Sequence, residues 1–188
     1  MSLQVLRRSS MTTSFLRTGA LLLCALLLAG AIAASDAHAA GATAKGGLKV
    51  AVEAAQKWQA DAVLTGVSTW QAGADGTAVK WNYMFYSPKS GKAYSVDVKS
   101  NKAVETMEVN PHIKDGVGEF VDSDKAIQEA KKNGLKGKPD VMSLIVMGQA
   151  TKNPAAYWSI VSQSGSAMVS FVIDGKSGKF SYKQETKM

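Results

Sequence analysis

Arginine does not occur after residue 17, cysteine occurs once, at position 24, and histidine twice, at positions 38 and 112. Each shortage excludes something, and most exclusions sharpen once the N-terminus is read. Arg7, Arg8 and Arg17 precede the apolar run "ALLLCALLLAGAIAA", which Ala37-His38-Ala39 follows. A basic stretch, a short apolar stretch and small residues at −3 and −1 predict a secretory signal peptide, residues 1–39, cleaved after Ala39. The run falls short of the roughly 20 apolar residues that a comfortable membrane span needs. Cleavage removes Cys24, so the mature chain is expected to use neither disulfides, thiolate catalysis nor thiolate metal ligands. Residues 40–188 are long enough to bury a core without covalent staples.

All three arginines also leave with the signal, and the mature chain keeps 19 lysines against 14 acids, about +5 net. Nucleic-acid recognition draws on arginine's planar fork for phosphates and guanines. Here the lysines stand singly along turns and helix faces, the pattern of a soluble exported surface. Nucleic acid is therefore not an expected partner.

Reaction chemistry finds little material. His112, the single histidine of the mature chain, lies beside Pro111, and no serine sits in a G-x-S-x-G elbow. A serine–lysine pair needs a desolvated lysine, which "SDKA" from Ser123 does not offer. One histidine and scattered carboxylates make no transition-metal site. Met84, Met107, Met142, Met147 and Met168 suit copper(I) as ligands, but they are spaced singly within strand patterns, where methionine fills gaps in a core. "DGKSGK" lacks the spacing of a phosphate loop. Asp97 and Asp174 are expected to brace the turns that follow them. The chain is read as a non-enzyme with no metal or organic cofactor.

What the sequence does contain is an internal echo. "KWNYMFYSPKSGKAYSVDVKSNKAV", from Lys80, aligns with "YWSIVSQSGSAMVSFVIDGKSGKF", from Tyr157, at an offset of 77 residues. Trp81 falls on Trp158, Tyr94 on Phe171 and Asp97 on Asp174. A second echo, "AVEAAQKW" from Ala51 and "AIQEAKKN" from Ala126, has an offset of 75. Tandem duplication explains both. Leu48, Ala51, Val52, Ala55 and Trp58 make one helical stripe; Ala126, Ile127 and Ala130 make another, behind Ser123 as N-cap and before Asn133-Gly134 as stop. Strand patterns follow each helix, and in "VKWNYMFY" Trp81, Tyr83 and Phe85 share one face, with Asn82, Met84 and Tyr86 on the other. A helix followed by an antiparallel meander must bury its stripe on that sheet. The expected fold is α+β: two tandem units, each one helix on a three- to four-stranded antiparallel sheet. Residues 40–109 form the first and 122–188 the second, packed together or joined through their strands. Residues 110–121 are the connector, with Ile113, Val117 and Phe120 available to pack at the junction.

A helix, a meander with an aromatic "W-x-Y" strand and the turn "IDGKSGKF" resemble the PepSY family, here as two copies; Asn101 stands in the first copy where the second has Gly178. The resemblance implies an exported binding or regulatory module, periplasmic or secreted, associated with peptidase regulation. It implies a protein partner in the cell envelope and no stable membrane insertion after cleavage. Residues that differ between the copies are the better candidates for contact. Tyr83 and Tyr86 become Ile160 and Gln163, so Trp70, Tyr83 and Tyr86 are read as an aromatic partner-binding rim, aromatics giving large contact area at small entropic cost. The alternative is a carrier of a small ligand or metal, held between helix and sheet or at the junction of the units.

Overall fold

Two helices and eight strands are described by the structure, a computed structural model that covers residues 41–148 and 155–188. The expected signal peptide lies outside the described residues. In chain order the elements are α1 (Leu48–Trp58), β1 (Val63–Thr69), β2 (Lys80–Ser87), β3 (Lys92–Lys99), β4 (Lys102–Val109), α2 (Ser123–Lys132), β5 (Val141–Met147), β6 (Ala155–Ser164), β7 (Ala167–Asp174) and β8 (Phe180–Lys187). Among the described residues no helix is long and apolar enough to cross a membrane.

The helices form where the apolar spacing is helical and lie close to the sheet because their buried residues are small. In α1 these are Ala51 and Ala55, and in α2 Ser123, Ala126, Ile127 and Ala130. Asp122, one residue before the expected position, caps α2 by accepting from the Ser123 N–H at 2.8 Å. Lys131 and Lys132 occupy the last turn, where they complement the helix dipole. The helix stops at Asn133, and Gly134 follows with φ +103°, a left-handed conformation that glycine adopts without steric cost.

The strands alternate as the sequence implies. Trp81, Tyr83 and Phe85 of β2 are buried beneath the helices, and Asn82, Met84 and Tyr86 face away, half-buried. The β3–β4 hairpin closes through Ser100 and Asn101, with φ +50° and +56°, between the paired Lys99 and Lys102. Two successive left-handed residues match the twist of the strands they join, and asparagine tolerates this conformation well.

The expected α+β fold of two tandem units, each one helix on a three- to four-stranded sheet, is corrected by the strand order, β4-β3-β2-β1-β5-β6-β7-β8: the chain's regular structure is mostly strand, in a single eight-stranded antiparallel sheet with two short helices. The join is β1 with β5, where Gly66, Val67, Ser68 and Thr69 face Ile145, Leu144, Ser143 and Met142. Separate units would each present an open strand edge, with a ladder of unpaired backbone groups. Pairing β1 with β5 removes both edges and makes one continuous core. That core runs from Ala51 and Trp81 in the first half to Ile127 and Trp158 in the second. Repetition in the sequence says nothing about which edges meet, because an edge strand and a central strand of this composition read alike.

Trp81 and Trp158, which align at the offset of 77 residues, make matching contacts. Each is buried, and their rings meet edge to face at 6.3 Å. The Trp81 indole donates to the Ala42 carbonyl at 2.7 Å and the Trp158 indole to the Val121 carbonyl at 2.9 Å. Each tryptophan thus ties down the segment entering its own helix. Burying a ring of this size contributes about 5 kcal/mol at the usual area coefficient. The connector is not an empty linker: Val117 and Phe120 are buried, and Phe120 packs on Trp158 at 6.2 Å.

Residues ahead of α1 bond to both halves. Ala42 bridges to Ala78 by two backbone bonds, 3.0 and 2.9 Å. The Ala44 N–H donates to Ser123 Oγ at 2.9 Å, so Ser123 acts as a bridge to α1's approach and not as the cap of α2. The Lys45 N–H donates to Asp122 Oδ1 at 2.9 Å.

Candidate binding face and the Trp70 clefts

Both helices lie on one face of the sheet, α1 over β2–β4 and α2 over β6 and β7. Among the described residues the other face carries no helix. Across its middle the register sets residues side by side: Met84, Gly66, Ile145 and Tyr157 in one row, and Asn82, Ser68, Ser143 and Ser159 in the next. None of these eight residues is charged. Tyr86 stands opposite Val63 at one end, with the Lys114 ammonium 5.9 Å from its ring centre. Charge collects at the margin. Lys80, Lys99 and Lys102 stand in register on β2, β3 and β4.

The three aromatic residues read from the sequence as one rim are not brought together. Trp70, just beyond β1, is 79% exposed. Tyr86 is half-buried on the helix-free face. Tyr83 must be withdrawn from the rim: it is fully buried on the helix side, and its hydroxyl donates to the Ala44 carbonyl at 2.7 Å. Burial, reinforced by nearby Asp122, pushes its phenol pKa well above the ordinary tyrosine range. Strand alternation had already put Tyr83 with Trp81, and Ile160, its counterpart at the 77-residue offset, is buried too.

Trp70 is held on a braced loop. Ala72 and Ala42 both bridge to Ala78, the Gly73 N–H donates to the Thr77 carbonyl at 2.6 Å, and Asp75 Oδ1 accepts from the Thr77 N–H and hydroxyl. The indole lines two clefts. One, of about 640 Å³, opens toward the sheet face and is lined by Ser68, Gln71, Asn82, Lys80, Asp97 and Lys99. The other, of about 850 Å³, lies toward Gly41, Thr77, Lys138 and Asp140.

Inside the first cleft the polar groups are already ordered. Lys80 Nζ reaches Asp97 Oδ2 at 2.6 Å, and Asn82 Nδ2 donates to Asp97 Oδ1 at 2.7 Å and to Ser95 Oγ at 2.6 Å. The hydrogen bond and charge of Asp97 raise the Lys80 pKa above its ordinary value. Asp97 therefore serves this cross-strand cluster, whereas Asp174 alone braces a turn, accepting from the Ser177 N–H and hydroxyl at 2.7 Å each. The sequence reading missed Lys80, Asn82, Asp97 and Lys99 as a group. Alternation along β2 and β3 puts Asn82 and Asp97 on outward positions, but their juxtaposition needs the β2–β3 register.

No family model matches this chain, and no curated protein matches it. Among solved structures it is similar to a crystal structure described as a putative lipoprotein from Clostridium difficile 630. That match has a TM-score of 0.54 and 12% sequence identity, and it covers 74% of this chain and 92% of that one. At this identity the likeness is one of fold.

Proposed function

We propose that this chain is an exported, non-enzymatic binding module that engages a protein partner in the cell envelope through the helix-free face of its sheet. One observation carries the reading. The middle of that face holds Met84, Ile145 and Tyr157 among small neutral residues, and lysines gather at its margin. Depletion of charge at the centre, with aromatic and methionine side chains inside a polar rim, is the composition of protein–protein interfaces. The signal-like N-terminus, and a fold neighbour described as a putative lipoprotein, support a periplasmic or secreted setting. The resemblance to PepSY units makes a peptidase the partner class of choice.

The two clefts beside Trp70 favour the carrier as the second reading, since their volumes suit a small ligand. One experiment separates the two. The mature chain, from Ala40, and its Ile145→Lys variant are used as baits in envelope extract, with retained molecules identified by mass spectrometry. A stoichiometric protein held by the first and lost by the second supports the binding module. A protein held equally by both overturns the assignment of the face. A small molecule or metal without a protein overturns the module in favour of the carrier.

A further inference from the structure

Trp70 is the one indole of the four whose N–H has no hydrogen-bond partner among the described residues: Trp58 donates to Glu108, Trp81 to Ala42 and Trp158 to Val121. It is also the most exposed large apolar side chain described, at 79%. A large ring in water on a loop fastened from both sides presents contact area that needs little further ordering, the property of an interface anchor.

Lysines outnumber carboxylates around it, Lys80, Lys99 and Lys138 against Asp97 and Asp140. The carboxylates that line the two clefts are engaged within the protein: Asp97 with Lys80 and Asn82, and Asp140 with the Gln163 N–H at 2.7 Å. Lys99 lines the first cleft and Lys138 the second. Neither these nor Lys102, the cross-strand partner of Lys99, has an acidic side chain within ion-pair distance among the described residues. Free ammonium groups thus stand on both sides of a free indole.

We propose that the Trp70 corner is a docking site for an acidic peptide segment of the protein partner. An apolar side chain of that segment packs on the indole, and carboxylates on either side meet Lys99 and Lys138. The proposal rests on the protein-partner reading above and adds the chemistry of the segment recognised. A membrane surface fits the corner less well, because Ser68, Gln71, Asn82 and Thr77 line the clefts where a membrane-inserting loop carries apolar residues.

The test measures fluorescence anisotropy of a labelled hexapeptide, Glu-Glu-Leu-Phe-Glu-Glu, against the mature chain. Binding is expected to weaken about tenfold between 50 and 500 mM salt, because rim charges are screened over this range. The Lys99→Glu/Lys138→Glu double variant is expected to weaken it about tenfold, and Trp70→Ala to abolish it. All three positions are exposed, so unchanged thermal melts verify that the variants fold. Absence of binding, equal binding of Lys-Lys-Leu-Phe-Lys-Lys, or binding that survives Trp70→Ala overturns the proposal. So does a Trp70 indole N–H resonance that responds only to a neutral oligosaccharide such as chitotetraose, or only to vesicles containing anionic lipid. The capture by the central face, read through Ile145→Lys, stands or falls separately.

Discussion

Replacing Tyr83 by phenylalanine removes one oxygen atom and tests how Ala44 is held, the residue that Ser123 of the second half also binds. The hydroxyl donates at 2.7 Å to the Ala44 carbonyl, and Tyr83 and Ala44 are both fully buried. Phenylalanine fills the same space and leaves that carbonyl without its partner. An unsatisfied buried acceptor costs about 1–3 kcal/mol. In a chain of this length each kcal/mol lowers the melting temperature by roughly 2–4 °C, so a fall of about 2–12 °C is expected. Ser123→Ala removes the bond that the Ala44 N–H makes on its other side and is expected to cost a similar amount. The two bonds hold the same residue, so the double variant is expected to lose at least ~0.5 kcal/mol less than the sum of the single changes.

The assay is thermal melting followed by circular dichroism, at neutral and alkaline pH. Burial raises the Tyr83 pKa, so the native protein keeps the phenolic proton where the unfolded chain, with a tyrosine pKa of about 10, loses it. The stability that follows is complete below about pH 10 and is lost as pH rises through the folded-state pKa. The gap between the wild type and Tyr83→Phe is therefore expected to narrow above pH 10. A variant that melts within about 1 °C of the wild type at pH 8 would refute the reasoning, as would strict additivity with Ser123→Ala.

Gly175→Ala is expected to destabilise by about 1–3 kcal/mol, because the new Cβ would lie 2.5 Å from the Ala156 carbonyl oxygen, where backbone must shift; chemical denaturation reads it, and an unchanged midpoint would refute it. Asp174→Asn is expected to lower the melting temperature at pH 7 by a degree or two, because the carboxylate accepts from the Ser177 N–H and hydroxyl, which lower its pKa. Stability from a lowered carboxylate pKa is present above the unfolded value near 4 and is lost as pH falls through the folded value. Melts at pH 7 and pH 3 should therefore converge for the wild type and this variant, and a gap that persists at pH 3 would refute the assignment.

Local chemistry was legible along the chain. The helical stripe through Ala51 and Ala55, the alternation that buries Trp81 and Phe85, and the Asn133-Gly134 stop all depend on neighbours a few residues apart. The recurrence of Trp81 as Trp158 was legible too, and with it the structural role of both rings. The candidate site was harder to read. Trp70 could be singled out as an aromatic beyond a strand, but its exposure depends on the loop from Gln71 to Val79 folding back on Ala42. Alternation places Tyr83 and Tyr86, three residues apart, on opposite faces of one strand, but only the packing of the helices shows which of those faces is closed.

The sequence by itself determined the elements, their order and their apolar faces, because hydrogen-bond periodicity and side-chain burial act over a few residues. Tertiary structure alone decided that β1 pairs with β5, since backbone edges of similar composition carry no label for their partner. It alone decided that Ala44 is shared by Tyr83 and Ser123, and that Lys99 and Lys138 flank one indole. Those juxtapositions span from 29 to 79 positions of chain. They are settled by which arrangement of the whole sheet buries the most apolar surface and leaves the fewest backbone groups unpaired.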